Sequence, residues 1–296
     1  MRVTDSMQLK NWLRTMQKTS TRLEQAQTTL ASGKGLQKPS DDPSGTSRAV
    51  ILKEQISRQE QYILGIDDGT AWLKTADTVL GLVSLSLSEA QEIALQGANA
   101  STSPEQRLDL SAHVSQIIEH MVGLANAQYA GNYIFSGEKI NVKPFALNSD
   151  KTALLPYAGG SGSINRQVQG EDILVINHSG QELFVDSHIF DALFNLKQAL
   201  ADNNHEEIQN AYTELTEAFN KTVSQRAMVG SKINRLGEMK ELHELQKDHF
   251  KSMLWEIEEG DLIEVITTLN REQLAYEAAM MIGVRINNLS LLDFMR

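Results

Sequence analysis

Hydrophobic positions recur every seven residues along most of this chain, and the lines they draw are long. Leu9, Met16, Leu23 and Leu30 stand seven apart, with Trp12, Leu13 and Ala26 filling the stripe between them. The opposite positions are Lys10, Arg14, Lys18, Arg22 and Gln25. This division predicts an amphipathic helix of about 25 residues, close to 40 Å long at about 1.5 Å per residue. A stripe on so long a helix is not satisfied alone and requires a partner helix. Gly33 ends the run where a C-terminal cap belongs.

The next segment, Pro39-Ser40-Asp41-Asp42-Pro43, reads as a stop followed by a new start. Asp42 can cap a helix whose first turn holds Pro43; Asp41 and Asp42 could instead ligate a cation, but capping is the simpler use. From Pro43 to about Gly97, Ile66, Leu73, Leu80, Leu87 and Ala94 keep the sevenfold interval, supported by Ile56, Ile63 and Val83. Gly65, Gly69 and Gly81 each cost a helix up to about 1 kcal/mol, which tertiary contact must offset. A third helix opens at Ser103-Pro104, with Leu110, Val114, Ile117, Met121 and Leu124 as its expected buried face.

Residues 131–190 change character. Short apolar runs at Tyr133–Phe135, Leu154–Leu155, Ile173–Ile176 and Leu183–Val185 alternate with Gly, Asn, Asp and Ser clusters, which predicts strands and turns. Helix resumes at Phe190–Ala201. From about Glu206, Ile208, Leu215, Thr222, Val229, Leu236, His243, Phe250 and Ile257 again stand seven apart, until Gly260-Asp261 interrupts. The last segment carries Leu262, Leu269 and Tyr276 on one line and Ala275, Ile282 and Leu289 on a second, so its apolar face is wider.

The predicted fold is mainly α: a long antiparallel helical bundle with paired terminal coiled-coil arms and a small β-rich inserted domain. Residues 1–40 and 260–296 form the arms, 41–130 and 191–259 a helical rod, and 131–190 the insert. The expected assembly interface is Leu9, Trp12, Leu13, Met16, Leu23 and Leu30 on the first arm. On the last arm it is Leu262, Ile266, Leu269, Tyr276, Ile282, Ile286, Leu289 and Leu292. Burying such side chains at about 1.5–3 kcal/mol each offsets much of the entropy of ordering an arm, so ordering coupled to assembly is expected.

Charge sharpens this picture. The net charge of the 296 residues is −11, which disfavours non-specific nucleic-acid binding. Residues 1–38 carry seven Lys and Arg against two acids, net +5, while residues 261–296 are net −2. A basic first arm and an acidic remainder attract one another. There is no cysteine, which removes disulfides and thiolate chemistry. No apolar run suits a cleaved signal peptide or a membrane span, which fits a cytosolic protein and equally one exported uncleaved by a dedicated machine.

Catalytic candidates do not assemble. His113 and His120 are two helical turns apart, too far to share one metal ion unaided. His243 falls on a buried seam and reads as a packed or bridging histidine. Gly159–Gly162 lacks the Lys and Ser/Thr that follow in a phosphate loop and reads as a turn. The acids Glu256, Glu258, Glu259 and Asp261 read as a solvated helix end, and Met280, Met281 and Met295 as adaptable interface packing. Neither a catalytic set, a metal nor a cofactor is expected.

Several strings resemble the bacterial flagellin family. Ala31-Ser32-Gly33-Lys34 leading to Pro39–Pro43 is similar to the family's first turn, and Ala90–Asn99 to the end of its second helix. Arg226-Ala227-Met228-Val229-Gly230-Ser231-Lys232-Ile233-Asn234-Arg235-Leu236 resembles its C-terminal helix signature, with Arg226, Gly230, Asn234 and Arg235 as the marking residues. Pro39–Pro43, Gly131–Gly137 and the ending Ile286–Phe294 resemble the branch that joins the flagellar hook to the filament. The resemblance implies a structural, extracellular protein, exported through the flagellar channel and polymerising with itself as a ring. Its implied neighbours are hook-associated protein 1, flagellin and the filament cap protein, with an export chaperone masking the C-terminal arm. Two other readings are a short flagellin that builds the filament and a secreted coiled-coil protein whose insert binds a ligand.

Overall fold

A computed structural model of the chain describes residues 5–36, 38–40, 42–170, 172–259 and 261–294, with side chains described except at 5, 6, 8 and 285–294. The element order is α1 (Asp5–Ser32), α2 (Pro43–Gly97), α3 (Pro104–Ala125), β1 (Gln128–Tyr129), β2 (Asn132–Tyr133), β3 (Asn165–Gln169), β4 (Asp172–Val175), a π-helical turn (Gln181–Val185), α4 (Ile189–Ala201), α5 (His205–Glu258) and α6 (Leu262–Phe294). The chain divides into two compact units, residues 1–58 with 246–296, and residues 59–245. The helices α2 and α5 contribute to both.

In the second unit the sevenfold lines are the core. Ile66, Leu73, Leu80, Leu87 and Ala94 on α2 are all buried, as are Ile208, Leu215, Thr222, Val229, Leu236 and His243 on α5. The two helices run antiparallel, since Gln91 reaches Thr216 (3.2 Å), Asp77 pairs with Arg226 (2.9 Å) and Asp67 with Lys240 (2.7 Å). The glycines predicted to need compensation find it at position 69. A Cβ there would stand 3.1 Å from Ile176, so the missing side chain lets the segment after β4 lie against α2.

A third helix opens where Ser103-Pro104 predicts, and Ser103 caps it with a capping box closed by Gln106. The buried face of α3 is turned from the expected one: Ile117 is buried with Val114, Ile118, Met121, Val122 and Ala125, whereas Leu110 and Leu124 are half-buried. Arg107, on the first turn of α3, is buried without a carboxylate partner among the described residues. It donates to Gly97 O (2.8 Å) and Asn99 O (3.0 Å) past the end of α2, and to Asn203 Oδ1 between α4 and α5. A cation suits the carbonyl-rich C-terminal end of a helix.

The insert is less β than its sequence suggests. It holds two antiparallel hairpins, β1–β2 turning at Ala130 and Gly131 (φ 50° and 83°), and β3–β4. Leu154 makes one isolated bridge with Leu147, and the apolar run at 183–185 is a π-helical turn instead of a strand. Leu183 and Phe184 are consecutive and both buried, which a strand with one face in water cannot supply. Its centre is aromatic, with Phe135, Phe145, Phe184 and Phe190 meeting edge-on or tilted at ring separations of 5.3–6.1 Å.

At the β3–β4 bulge Val168 drops out of the strand pairing, and its carbonyl lies 2.7 Å from His243 Nε2. Gln59 faces the other ring nitrogen at 2.5 Å, and Tyr62 lies beside the imidazole. This bears out the reading of His243 as a bridging residue. His178, after β4, is held by Lys232 of α5 (3.3 Å), and burial together with the Lys232 charge lowers its pKa from 6.5 to about 4.

Two measurements check this unit. Arg107→Met strands three acceptors and is expected to cost about 2–4 kcal/mol in urea unfolding, against less than about 0.5 kcal/mol for an exposed control. His178 stays neutral in the folded unit while the unfolded chain protonates, so stability is complete above pH 6.5 and declines as pH falls toward about 4. His178→Gln should flatten that decline, by up to about 3 kcal/mol between the two limits.

Candidate assembly site

The two arms belong to the first unit, and the structure makes each the partner of the other. The helices α1 and α6 pack antiparallel: Trp12 lies against Ala279 and Gly283, and Lys34, just beyond α1, bridges Glu259, just before α6. On α1 the seam is Trp12, Met16, Thr19, Leu23 and Ala26, with Thr19 and Ala26 buried. On α6 it is Val265, Thr268, Leu269, Glu272, Tyr276, Ala279 and Gly283, with Glu272, Ala279 and Gly283 buried. Steps of three and four are the heptad pattern of a coiled-coil seam.

The predicted interface residues therefore divide in two. Trp12, Met16, Leu23, Leu269 and Tyr276 lie in the seam and are half-buried. Leu9, Leu13, Leu30, Leu262, Ile266 and Ile282 stay exposed by 36–52%. The side chains of Ile286, Leu289 and Leu292 lie outside the described residues. Further apolar side chains missed by the sevenfold lines join the exposed group on α6: Ile263 (79%), Leu274 (67%), Met281 (63%) and Val284 (62%). Leu274 and Met281 stand seven apart and Ile263 and Val284 three times seven, on lines beside those counted from the sequence.

Both arms join the longer helices through capped turns. Gly33 takes φ +70° after α1, where a side chain would be strained, and its N–H donates to Thr29 O (2.9 Å). Asp42 caps α2 by accepting from Ser44 N (3.0 Å), ahead of Pro43 in the first turn; Asp41 lies outside the described residues. Asp261 caps α6, accepting from Ile263 N (2.9 Å) and Glu264 N (3.2 Å).

Glu258 corrects one expectation. Its sequence context suggests a solvated helix end, yet the residue is buried and clasped by Lys34 (2.8 Å) and Lys53 (2.5 Å). The cause is the fold of the turn, which brings Gly35 N to Glu258 O (2.8 Å). Hydrogen bonds from Lys34 and Lys53 lower the Glu258 pKa, outweighing desolvation. The family-marking residues lie in the other unit. Arg226 holds Asp77 of α2, Arg235 holds Asp172 of β4, Asn234 lines a groove with Gly237, and Gly230 has open space beside it.

The family model of the bacterial flagellin N-terminal helical region matches residues 3–140. Flagellar hook-associated protein 3 of Escherichia coli strain K12 is 26% identical over 293 residues, covering 88% of this chain and 89% of its own. Its counterpart from Salmonella typhimurium strain LT2 is 25% identical, covering 90% and 91%. The chain is similar to flagellar hook-associated protein 3 along most of its length, and its first half to the flagellin N-terminal helical region. Likeness to filament proteins is more distant and shorter, for instance 26% over 133 residues with a Treponema maltophilum filament core protein. The fold agrees with a flagellar hook-associated protein from Vibrio parahaemolyticus, at TM-score 0.68 and 21% identity over 74% of this chain and all of that one. It agrees also with a flagellar junction protein from Legionella pneumophila, at TM-score 0.60 and 14% identity over 71% and 99%. The homologues of hook-associated protein 3 type are structural proteins of the flagellum, and this chain is placed with them as a flagellar component.

A pH titration checks the clasp. Glu258 is held ionised, so its contribution to the first unit is present above the ordinary carboxylate range and is lost as pH falls below 4.5. Glu258→Gln is expected to lower helical content at pH 7 and remove that acid-side loss, read by circular dichroism.

Proposed function

We propose that this chain is a structural adaptor joining the flagellar hook to the filament, polymerising through its terminal helices after export. One observation carries the reading. Pairing α1 with α6 satisfies one face of each arm and leaves Leu9, Leu13 and Leu30 on one, and Ile263, Leu274, Met281 and Val284 on the other, in water. An apolar surface of that kind on helices marks a site for further protein contact. The partner best matched in charge and pattern is another arm of the same type, basic on its first helix and acidic on its last.

On this reading the subunits form a ring. The neighbours are hook-associated protein 1 on one side and flagellin on the other, with the cap protein in place before the filament grows. An export chaperone covers the last arm, and the chain leaves the cell without a cleaved signal. The work is mechanical, with no turnover of substrate and no cofactor. The arms correspond to 1–40 and 260–296, the rod to 41–130 and 191–259, and the insert to 131–190. A short flagellin is disfavoured by the full-length likeness to hook-associated protein 3 beside half-length likeness to filament proteins. A ligand-binding insert has no observation in its favour.

The test is complementation of a strain lacking the gene. Ile263→Asp combined with Leu274→Asp changes exposed positions, each expected to move monomer stability by less than about 0.5 kcal/mol. The expected outcome is a folded, exported subunit, hooks without filaments, and flagellin lost to the medium. Normal motility would refute the proposal.

A further inference from the structure

We infer that Trp12 fixes the register of the two arms by seating its indole in a notch that Ala279 and Gly283 form on α6. The biological meaning rests on the assembly reading above, but the register is a property of the single chain.

A heptad seam is degenerate along its own length. Sliding α1 by seven residues past α6 sets apolar positions against apolar positions again, so the stripe alone does not choose an alignment. Something that does not repeat must do so. Trp12 is the only tryptophan on α1, and Gly283 the only glycine on α6. A Cβ at position 283 would overlap the six-membered ring of the indole, so the notch exists only because that residue is glycine.

The notch also exposes backbone. The indole N–H donates to Ala279 O at 2.6 Å, the carbonyl that the α-helical ladder pairs with the N–H of position 283. The ring can reach it only where no side chain stands between. One heptad earlier, Glu272 and Tyr276 occupy the equivalent positions. There the indole would meet a second ring, and its N–H would lose its acceptor, an omission worth about 1–3 kcal/mol when buried.

The rest of the seam marks the alignment less strongly. Thr19 and Glu272 are buried polar residues, and Thr19 already satisfies its hydroxyl on Thr15 O (3.1 Å) within its own helix. The Lys34–Glu258–Lys53 clasp and the Lys34–Glu259 bridge tie the root of α1 to the chain just before α6. Trp12 lies about 30 Å further along, at about 1.5 Å per residue, where a root tie leaves the helices free to shift by a turn. With the register held, the exposed residues of α1 and α6 present one fixed surface to a neighbour.

The absence of cysteine makes the register measurable in the full-length chain. Repeating the Trp12 contacts one heptad along places Thr19 beside position 272, so Thr19→Cys with Glu272→Cys reports the native alignment. Thr19→Cys with Val265→Cys reports a slip of seven. In the otherwise unchanged chain the first pair should oxidise much faster. Adding Trp12→Ala, or separately Gly283→Ala, should cut that preference by about tenfold, the equivalent of about 1.4 kcal/mol. Trp12→Phe, which keeps a ring but no N–H, should retain part of it. An unchanged preference in both Trp12→Ala and Gly283→Ala would overturn the inference. So would equal slowing of both pairs with loss of helical signal, since Trp12 would then keep the helices formed instead of aligned. Motility is not part of this readout, so failure of the junction reading and failure of the register reading remain distinguishable.

Discussion

A long helix with one apolar stripe keeps it from water only by finding a second helix, and much of this chain follows from that constraint. Between α1 and α6 the solution is an antiparallel seam closed by small and polar residues as well as large ones: Thr19, Ala26, Glu272, Ala279 and Gly283 are its buried members. Small residues bring two helices close but remove little apolar area from water, so the stabilisation per turn is modest. The larger side chains, Leu9, Leu13, Ile263, Leu274 and Met281, remain outside it. An arm built this way is a folded element with unspent hydrophobic surface, which suits an assembly unit better than a finished core.

The second unit solves the same problem differently. There the sevenfold lines of α2 and α5 are buried almost without exception, and Phe135, Phe145, Phe184 and Phe190 add a compact aromatic centre. Polar groups are used as fasteners. The bulge at Val168 frees one carbonyl and His243 takes it; Arg107 gathers carbonyls beyond α2 together with the Asn203 side chain. Each fastener is buried, so the cost of breaking it is the cost of an unpaired group in a dry place.

Electrostatics has a smaller part. The pairs of Asp67, Asp77 and Asp172 with Lys240, Arg226 and Arg235 are largely exposed and individually weak, though together they oppose sliding of α5 past α2 and β4. The clasp on Glu258 differs because its carboxylate is buried while its two lysines reach it from solvent. Its value lies in direction: it holds the turn after α1 and the start of α2 to one point at the end of α5.

The helices, their caps at Ser103 and Asp42, the stop at Gly33 and the core lines of α2 and α5 were legible in the residues alone, because helical periodicity and capping are local properties. The resemblance to flagellin-type proteins was carried by strings at Pro39–Pro43 and Arg226–Leu236. What local pattern could not give was any contact between distant positions. The burial of Glu258, the meeting of His243 with Val168 and the π-helical turn at 181–185 depend on which surfaces the fold brings together. The seat of Trp12 over Gly283 belongs with them. A lone glycine in the last helix was the one available signal, and its meaning appeared only when an indole 271 positions earlier in the chain was found lying on it. The sequence alone determined that the arms are helices in need of partners; only the tertiary structure decided how they align, because a repeating stripe carries no register of its own.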